Sequence, residues 1–179
     1  MPLSLPGTKL STRDLAIFGV LGGVMFLSQV AMQGLPNVHL ITLFTAALTL
    51  AYRVRALIPF YIYVLLSGVF YGFHLAWVPR LYIWLPLWAA FMIFGTLNIP
   101  KKIKVPLAMI FCGVHGLTFG LMYAPFQAIL FGLSFQGMVA WIIAGIPFDI
   151  IHGISNLASG VLVIPLASLL KKLDQMDTF

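Results

Sequence analysis

Asp149, His152 and Asn156 stand three and four residues apart in WIIAGIPFDIIHGISNLASG, residues 141–160. Those spacings place an acid, an imidazole and an amide on one helical face. Such a trio can hold donor groups on a small polar solute, or supply part of a metal site. The surroundings are apolar. A carboxylate within a membrane span costs about 2.5–3.5 kcal/mol, so it faces a partner or a wet cavity. Two readings of Asp149 stay open: a pocket role, direct or through orienting His152, and a cap on backbone N–H groups freed by Pro147.

Other polar groups fall within the reach of the same level. GLPNVHL supplies Asn37 and His39, and AWVPRLYIWLPLW carries Trp77, Arg80 and Trp84. His74, Tyr123 and Gln127 are further candidates for ligand contact. His115, in CGVHGLTFG, suits a helix–helix hydrogen bond near the bilayer middle, or the pocket. Arg80 either snorkels to lipid phosphates or anchors an anionic group at the pocket mouth. A metal-dependent enzyme using Asp149, His152 and His115 is an alternative, although no HExxH or cysteine pair supports it. No GxSxG elbow and no GxxxxGK[ST] phosphate loop occurs, so the chain cannot bind ATP by that route, and if its work is powered by a nucleotide another subunit hydrolyses it. No cofactor is implied, and a ligand-free membrane assembly factor is the remaining alternative.

The elements that hold these groups must be membrane helices. Of 179 residues, 61% are hydrophobic and 8% charged, with a mean hydropathy of +1.06; a soluble domain carries about 25% charged residues. Glutamate is absent, and the acids are Asp14, Asp149, Asp174 and Asp177. The net charge of +6 does not signal nucleic acid, because the bases lie between apolar stretches, where they fix topology. Cys112, alone in an apolar run, packs as a small hydrophobe.

Apolar stretches run roughly 15–34, 38–52, 56–77, 81–99, 105–132 and 137–170, in one transmembrane domain covering 1–179. The first is a span rather than a signal peptide, being long and without a clear cleavage site. Ser11 or Thr12 can cap it, with Asp14 in the first turn. Lys9 and Arg13, Arg53 and Arg55, the Lys101–Lys102–Lys104 cluster, and Lys171 and Lys172 occupy alternate connections. The expected architecture is therefore an all-α bundle of six transmembrane helices with both termini cytoplasmic. Counting back from Lys171 at ~1.5 Å per residue puts Asp149, His152 and Asn156 at ~33, ~28 and ~22 Å, in the outer half of the bilayer. The last stretch is too long for one crossing, so a break is expected at Gly145-Ile-Pro147. The second is short, which predicts that the loop before it dips below the surface. Gly19, Gly22 and Gly23 in AIFGVLGGVMF let another helix approach closely, within the bundle or in a partner subunit.

With LPNVHL after the first span and AGIPFDIIHGISNLASGVLVIPL in the last, the chain resembles the substrate-binding S components of energy-coupling factor (ECF) importers. The resemblance extends over nearly the whole length: size, six spans, cytoplasmic termini and a short second span. It implies capture of an extracellular water-soluble vitamin or related micronutrient in the outer half, with no covalent chemistry. It implicates Asn37, His39, Asp149, His152 and Asn156 as ligand contacts. It also implies docking of the first helix, through Gly19 and Gly23, on a transmembrane coupling subunit served by two cytoplasmic ATPases. Members of that family carry Ala-x-x-x-Ala there; this chain keeps the small size and not the identity.

Overall fold

Thr12–Ala31 forms α1, opened by a reciprocal cap. The Asp14 amide donates to Ser11 Oγ at 3.1 Å, and the Ser11 amide to the Asp14 carboxylate at 2.9 Å. This arrangement satisfies two of the N–H groups a helix start leaves over. The computed structural model to which it belongs describes residues 10–176; Lys9 lies outside them. Among the described residues the chain is all-α, with no strand. The further helices are α2 (Ile41–Tyr52), α3 (Leu57–Tyr71), α4 (Leu85–Phe94), α5 (Lys101–Leu117), α6 (Phe119–Phe131), α7 (Phe135–Ser159) and α8 (Val163–Met176). Short 3-10 turns occupy Arg53–Ala56, Leu75–Leu81 and Gly160–Leu162.

Among the described residues five stretches are long and apolar enough to cross a membrane: Thr12–Ala31, Ile41–Tyr71, Leu75–Phe94, Lys101–Phe131 and Phe135–Asp174. Two of the apolar stretches read from sequence fall together in Ile41–Tyr71, because the turn joining them is itself helical. The chain nevertheless doubles back there. His39 and Tyr63 both lie beside Trp84, with ring centroids 6.3 and 6.0 Å away. Arg53, between them in sequence, instead reaches Met92 O at 2.7 Å.

Helix α2 is the core of the bundle: every residue except Phe44 is buried. It has no lipid-facing side, so its three threonines sit among apolar neighbours. Thr49 satisfies itself on Thr45 O at 2.6 Å. Helix α7 is the opposite case. Only Asp149, His152, Gly153 and Asn156 are buried along it, and five of its six isoleucines are exposed. A polar buried face under an apolar exposed one is the pattern of a helix that meets lipid.

The expected break at Pro147 does not occur; α7 passes through it. Pro147 lies on the exposed face, and membrane helices tolerate proline where local adjustment meets the freed backbone. The helix instead tightens into a 3-10 turn at Gly160–Leu162, within the continuous helical stretch Phe135–Asp174. There Pro165 lacks the N–H that would bond to Val161. The stretch 105–132 is also interrupted. Thr118 Oγ1 bonds back to Val114 O at 2.9 Å and lies 3.3 Å from His115 O, dividing α5 from α6.

Helix α7 returns antiparallel along α5 and α6 through a seam of glycines. A Cβ on Gly116 would lie 2.7 Å from the Gly153 Cα, and one on Gly160 2.7 Å from the Met109 Cα. At this separation backbones touch, which small residues alone permit.

The basic clusters meet at one end of the bundle. Arg55 lies 3.7 Å from Asp14, and Arg13 4.0 Å from Asp174. Arg53, Lys104 and Lys171 line one small cavity nearby. Arg80 stands at the opposite end, where α1 and α3 finish and α2 and α4 begin.

Candidate functional site

A cavity of about 380 Å³ occupies the end bearing Arg80. Pockets for small ligands run from roughly 300 to 1,000 Å³, so this one suits a small solute. Three connections build its walls. The turn-rich segment 32–40 contributes Asn37 and His39, the segment 74–84 contributes His74, Arg80 and Trp84, and the α6 and α7 helices contribute Phe119, Tyr123 and His152. Asn37 adopts φ 59°, a conformation asparagine accepts more readily than most residues. The amides of Leu35 and Val38 close successive turns on Met32 and Leu35, at 2.9 and 3.1 Å.

The interior combines rings with polar nitrogens. His39 and His152 meet edge to face at 4.4 Å between centroids, and His152 meets Phe119 at 4.6 Å. Trp84 lies 5.9 Å from Phe119, and Tyr123 stacks on Trp141 at 6.0 Å. His39 Nδ1, His152 Nε2 and Trp84 Nε1 are buried without a hydrogen-bond partner. Buried polar atoms are ordinarily paired, and these three belong to side chains that line one cavity. Tyr63, itself buried, donates its Oη proton to Gln29 Oε1 at 2.6 Å, and Arg80 Nη1 lies 3.3 Å from both. Among the described residues no acid lines the cavity. The Arg80 guanidinium is the only Lys, Arg, Asp or Glu side chain among the described residues that line it.

Seven of the residues singled out from sequence line this cavity: Asn37, His39, His74, Arg80, Trp84, Tyr123 and His152. The others do not. Asp149 turns away, and its two carboxylate oxygens accept from the Gly120 amide at 3.0 and 3.2 Å. The chain break at Thr118 explains this. An N–H in the first turn of α6 has no intrahelical acceptor, and a carboxylate at a helix start is also favoured by the helix dipole. Asp149 therefore caps a helix, as one reading allowed, but the N–H groups it meets were freed by Thr118 and not by Pro147. A Cβ on Gly120 would collide with the carboxylate, so glycine leaves it room.

Asn156 is wholly buried against Gly116, and neither its amide oxygen nor its nitrogen has a partner. His115 Nε2 lies 3.0 Å from Ile83 O, so it bonds across to the turn before α4 and not to another helix as its depth suggested. Trp77 Nε1 donates to Val64 O at 2.9 Å. Gln127 is half-buried on α6, outside the cavity. Among the described residues no three His, Cys, Asp or Glu side chains converge as metal ligands. Asp149 and His115, which the metal alternative needs beside His152, are engaged elsewhere.

Gln29, Tyr63 and Phe119 were not anticipated. Gln29 left a signal, as one of two amides in the apolar run 15–34; the other, Gln33, also lines the cavity. Tyr63 and Phe119 left none within a chain that is 14% aromatic. On α1, Gly22 packs against Ile62 and Pro59, while a Cβ on Gly19 or Gly23 would meet open space. The chain matches no family model, no curated protein and no solved structure.

Proposed function

We propose that the protein is the solute-binding subunit of a membrane importer of the ECF type, with the cavity beneath Asn37 and His39 as its binding site. The observation that carries this is the coincidence of volume and chemistry. An aromatic-walled space of about 380 Å³ holds three unpartnered ring nitrogens and one arginine without a carboxylate. Neutral imidazoles each offer one donor and one acceptor, and an indole one donor. Together they suit a planar heterocycle, with Arg80 receiving an acidic substituent. A water-soluble vitamin or related micronutrient of that shape is the expected cargo, and no bond is made or broken in it.

In this reading the Arg53–Ala56 reversal divides Ile41–Tyr71 into two crossings, giving six. Both termini and the basic end face the cytoplasm, and the cavity opens outward. Helix α1 presents Gly19 and Gly23 to a coupling subunit. An apolar groove of about 420 Å³ between α1 and α8, lined by Ala16, Val20, Leu21 and Leu173, extends that surface. Two cytoplasmic ATPases supply the energy.

The test is a thermal-shift screen of the detergent-solubilised protein against vitamins, nucleobases, amino acids and heterocyclic acids. A hit that Arg80→Gln and His152→Ala weaken supports the assignment. A hit indifferent to both, or no hit across the panel, would sink it.

A further inference from the structure

At the basic end, Arg53, Gly95, Lys104, Ser168 and Lys171 enclose a second cavity, of about 170 Å³. Its cations come from three separate elements: the turn after α2, helix α5 and helix α8. The two described acids of this end are directed elsewhere, Asp14 to Arg55 and Asp174 to Arg13. Among the described residues no carboxylate lines the space. Three like charges around one small volume repel unless an anion joins them.

The backbone is shaped for this arrangement. Arg53 adopts φ 57° and ψ −127°, a strained conformation for a residue with a side chain. That turn aims its guanidinium past Gly95, where a Cβ would collide with Nη1. Nη2 is held by Met92 O at 2.7 Å. Arginine is thus fixed in place, and two flexible ammonium groups stand nearby, with the Ser168 hydroxyl as a further donor. Fixed guanidinium and mobile ammonium groups together recognise phosphate oxygens.

We propose that this cavity binds a phosphate group, carried by an anionic lipid headgroup or by a soluble phosphate. Basic pockets between helices at a membrane surface take lipid headgroups in this manner. The assignment is independent of the solute cavity at the other end.

The test uses the full chain in zwitterionic detergent, with no vitamin present. Thermal stability is measured against inorganic phosphate at constant ionic strength, and against micelles doped with phosphatidylglycerol or phosphatidylcholine. Stabilisation by phosphatidylglycerol alone assigns the site to lipid; stabilisation by inorganic phosphate assigns it to a soluble anion. The double variant Lys104→Gln/Lys171→Gln should weaken the apparent affinity by about tenfold or more, since each lost charged donor matters at that scale. Gly95→Ala, which keeps both lysines and displaces Arg53, should weaken it as well and carries the test if the double variant does not fold. Absence of stabilisation by either source, or equal stabilisation of the wild type and both variants, overturns the proposal.

Discussion

Helix α7 borders two regions that treat polar atoms differently. Along the seam with α5 and α6, Asp149 is consumed by a backbone N–H and Asn156 is sealed against Gly116. One turn away, His152 stands on the wall of a cavity with an unpaired nitrogen. The three residues share a helical face, yet only one of them reaches the open space. A polar residue in a membrane helix therefore has two possible meanings, structural bond or ligand contact, and its spacing does not separate them. The distance between neighbouring backbones does. Where glycines bring α5 and α7 into contact there is no room for a solute; where Thr118 interrupts the helix, the packing opens.

The sharpest way to break this contrast is to push the seam apart. Gly116→Val would drive a branched side chain into the Gly153 backbone, 2.7 Å from a Cβ at that position. Neither helix can yield without losing the seam, so the expected loss is ~3 kcal/mol or more, at the upper end for overpacking. Thermal unfolding in detergent reads it directly. A variant as stable as the wild type would mean that the helices do not meet here.

Asp149 gives the next largest effect. Alanine at this position leaves the buried Gly120 amide unpaired, at a cost of about 1–3 kcal/mol. Asparagine keeps an acceptor and should recover most of that loss. If Asp149 contacts the solute instead, Asp149→Asn will preserve stability and abolish binding. The pair of variants thus tells a cap from a contact by comparing unfolding temperature with ligand affinity.

Much of the fold was legible because bilayer chemistry is coarse. A capping Ser11 followed by Asp14 and a short second helix are local statements that hold in the structure. The bases expected in connections fall partly inside helix ends, with Arg13 in α1, Lys101 and Lys104 in α5 and Lys171 in α8. The target of Asp149 was not local. It depends on Thr118, thirty-one residues earlier in the chain, bonding back to Val114 and interrupting a helix whose apolar pattern runs on. Pro147 misled for the mirror reason: proline signals a break, but an exposed face in a long apolar helix absorbs it. The seam had a trace, in the spacings of Gly113, Gly116 and Gly120, that only a partner helix makes meaningful. At the cavity, lone polar residues such as His39 and Arg80 were conspicuous in an apolar chain. Tyr63 and Phe119 were hidden by the abundance of their own kind.

Asn156 tests the seam from another side. Its amide is buried with both polar atoms unpaired, and leucine has a similar volume without them. Replacing an unsatisfied polar group by an apolar one of like shape is neutral or stabilising, here by up to about 1 kcal/mol. A rise in the unfolding temperature of Asn156→Leu, with ligand affinity unchanged, would place this residue wholly on the structural side. A loss of affinity would extend the solute cavity one turn deeper.

The smallest change in stability belongs to the cavity, and it is the most informative. His39→Phe preserves the edge-to-face contacts with His152 and Trp84 and removes the ring nitrogens, of which Nδ1 has no partner to lose. Stability should stay within about 1 kcal/mol of the wild type, as for other shape-conserving swaps. Affinity for any solute found by the screen should fall at least ~tenfold, the scale of one buried hydrogen bond lost from a ligand. Asp149→Ala and His39→Phe then form a crossed pair. The first unfolds more easily and still binds, while the second holds its fold and binds poorly. If both variants moved both quantities together, seam and cavity would be one cooperative unit, and the division between bond and contact drawn along α7 would have no physical basis.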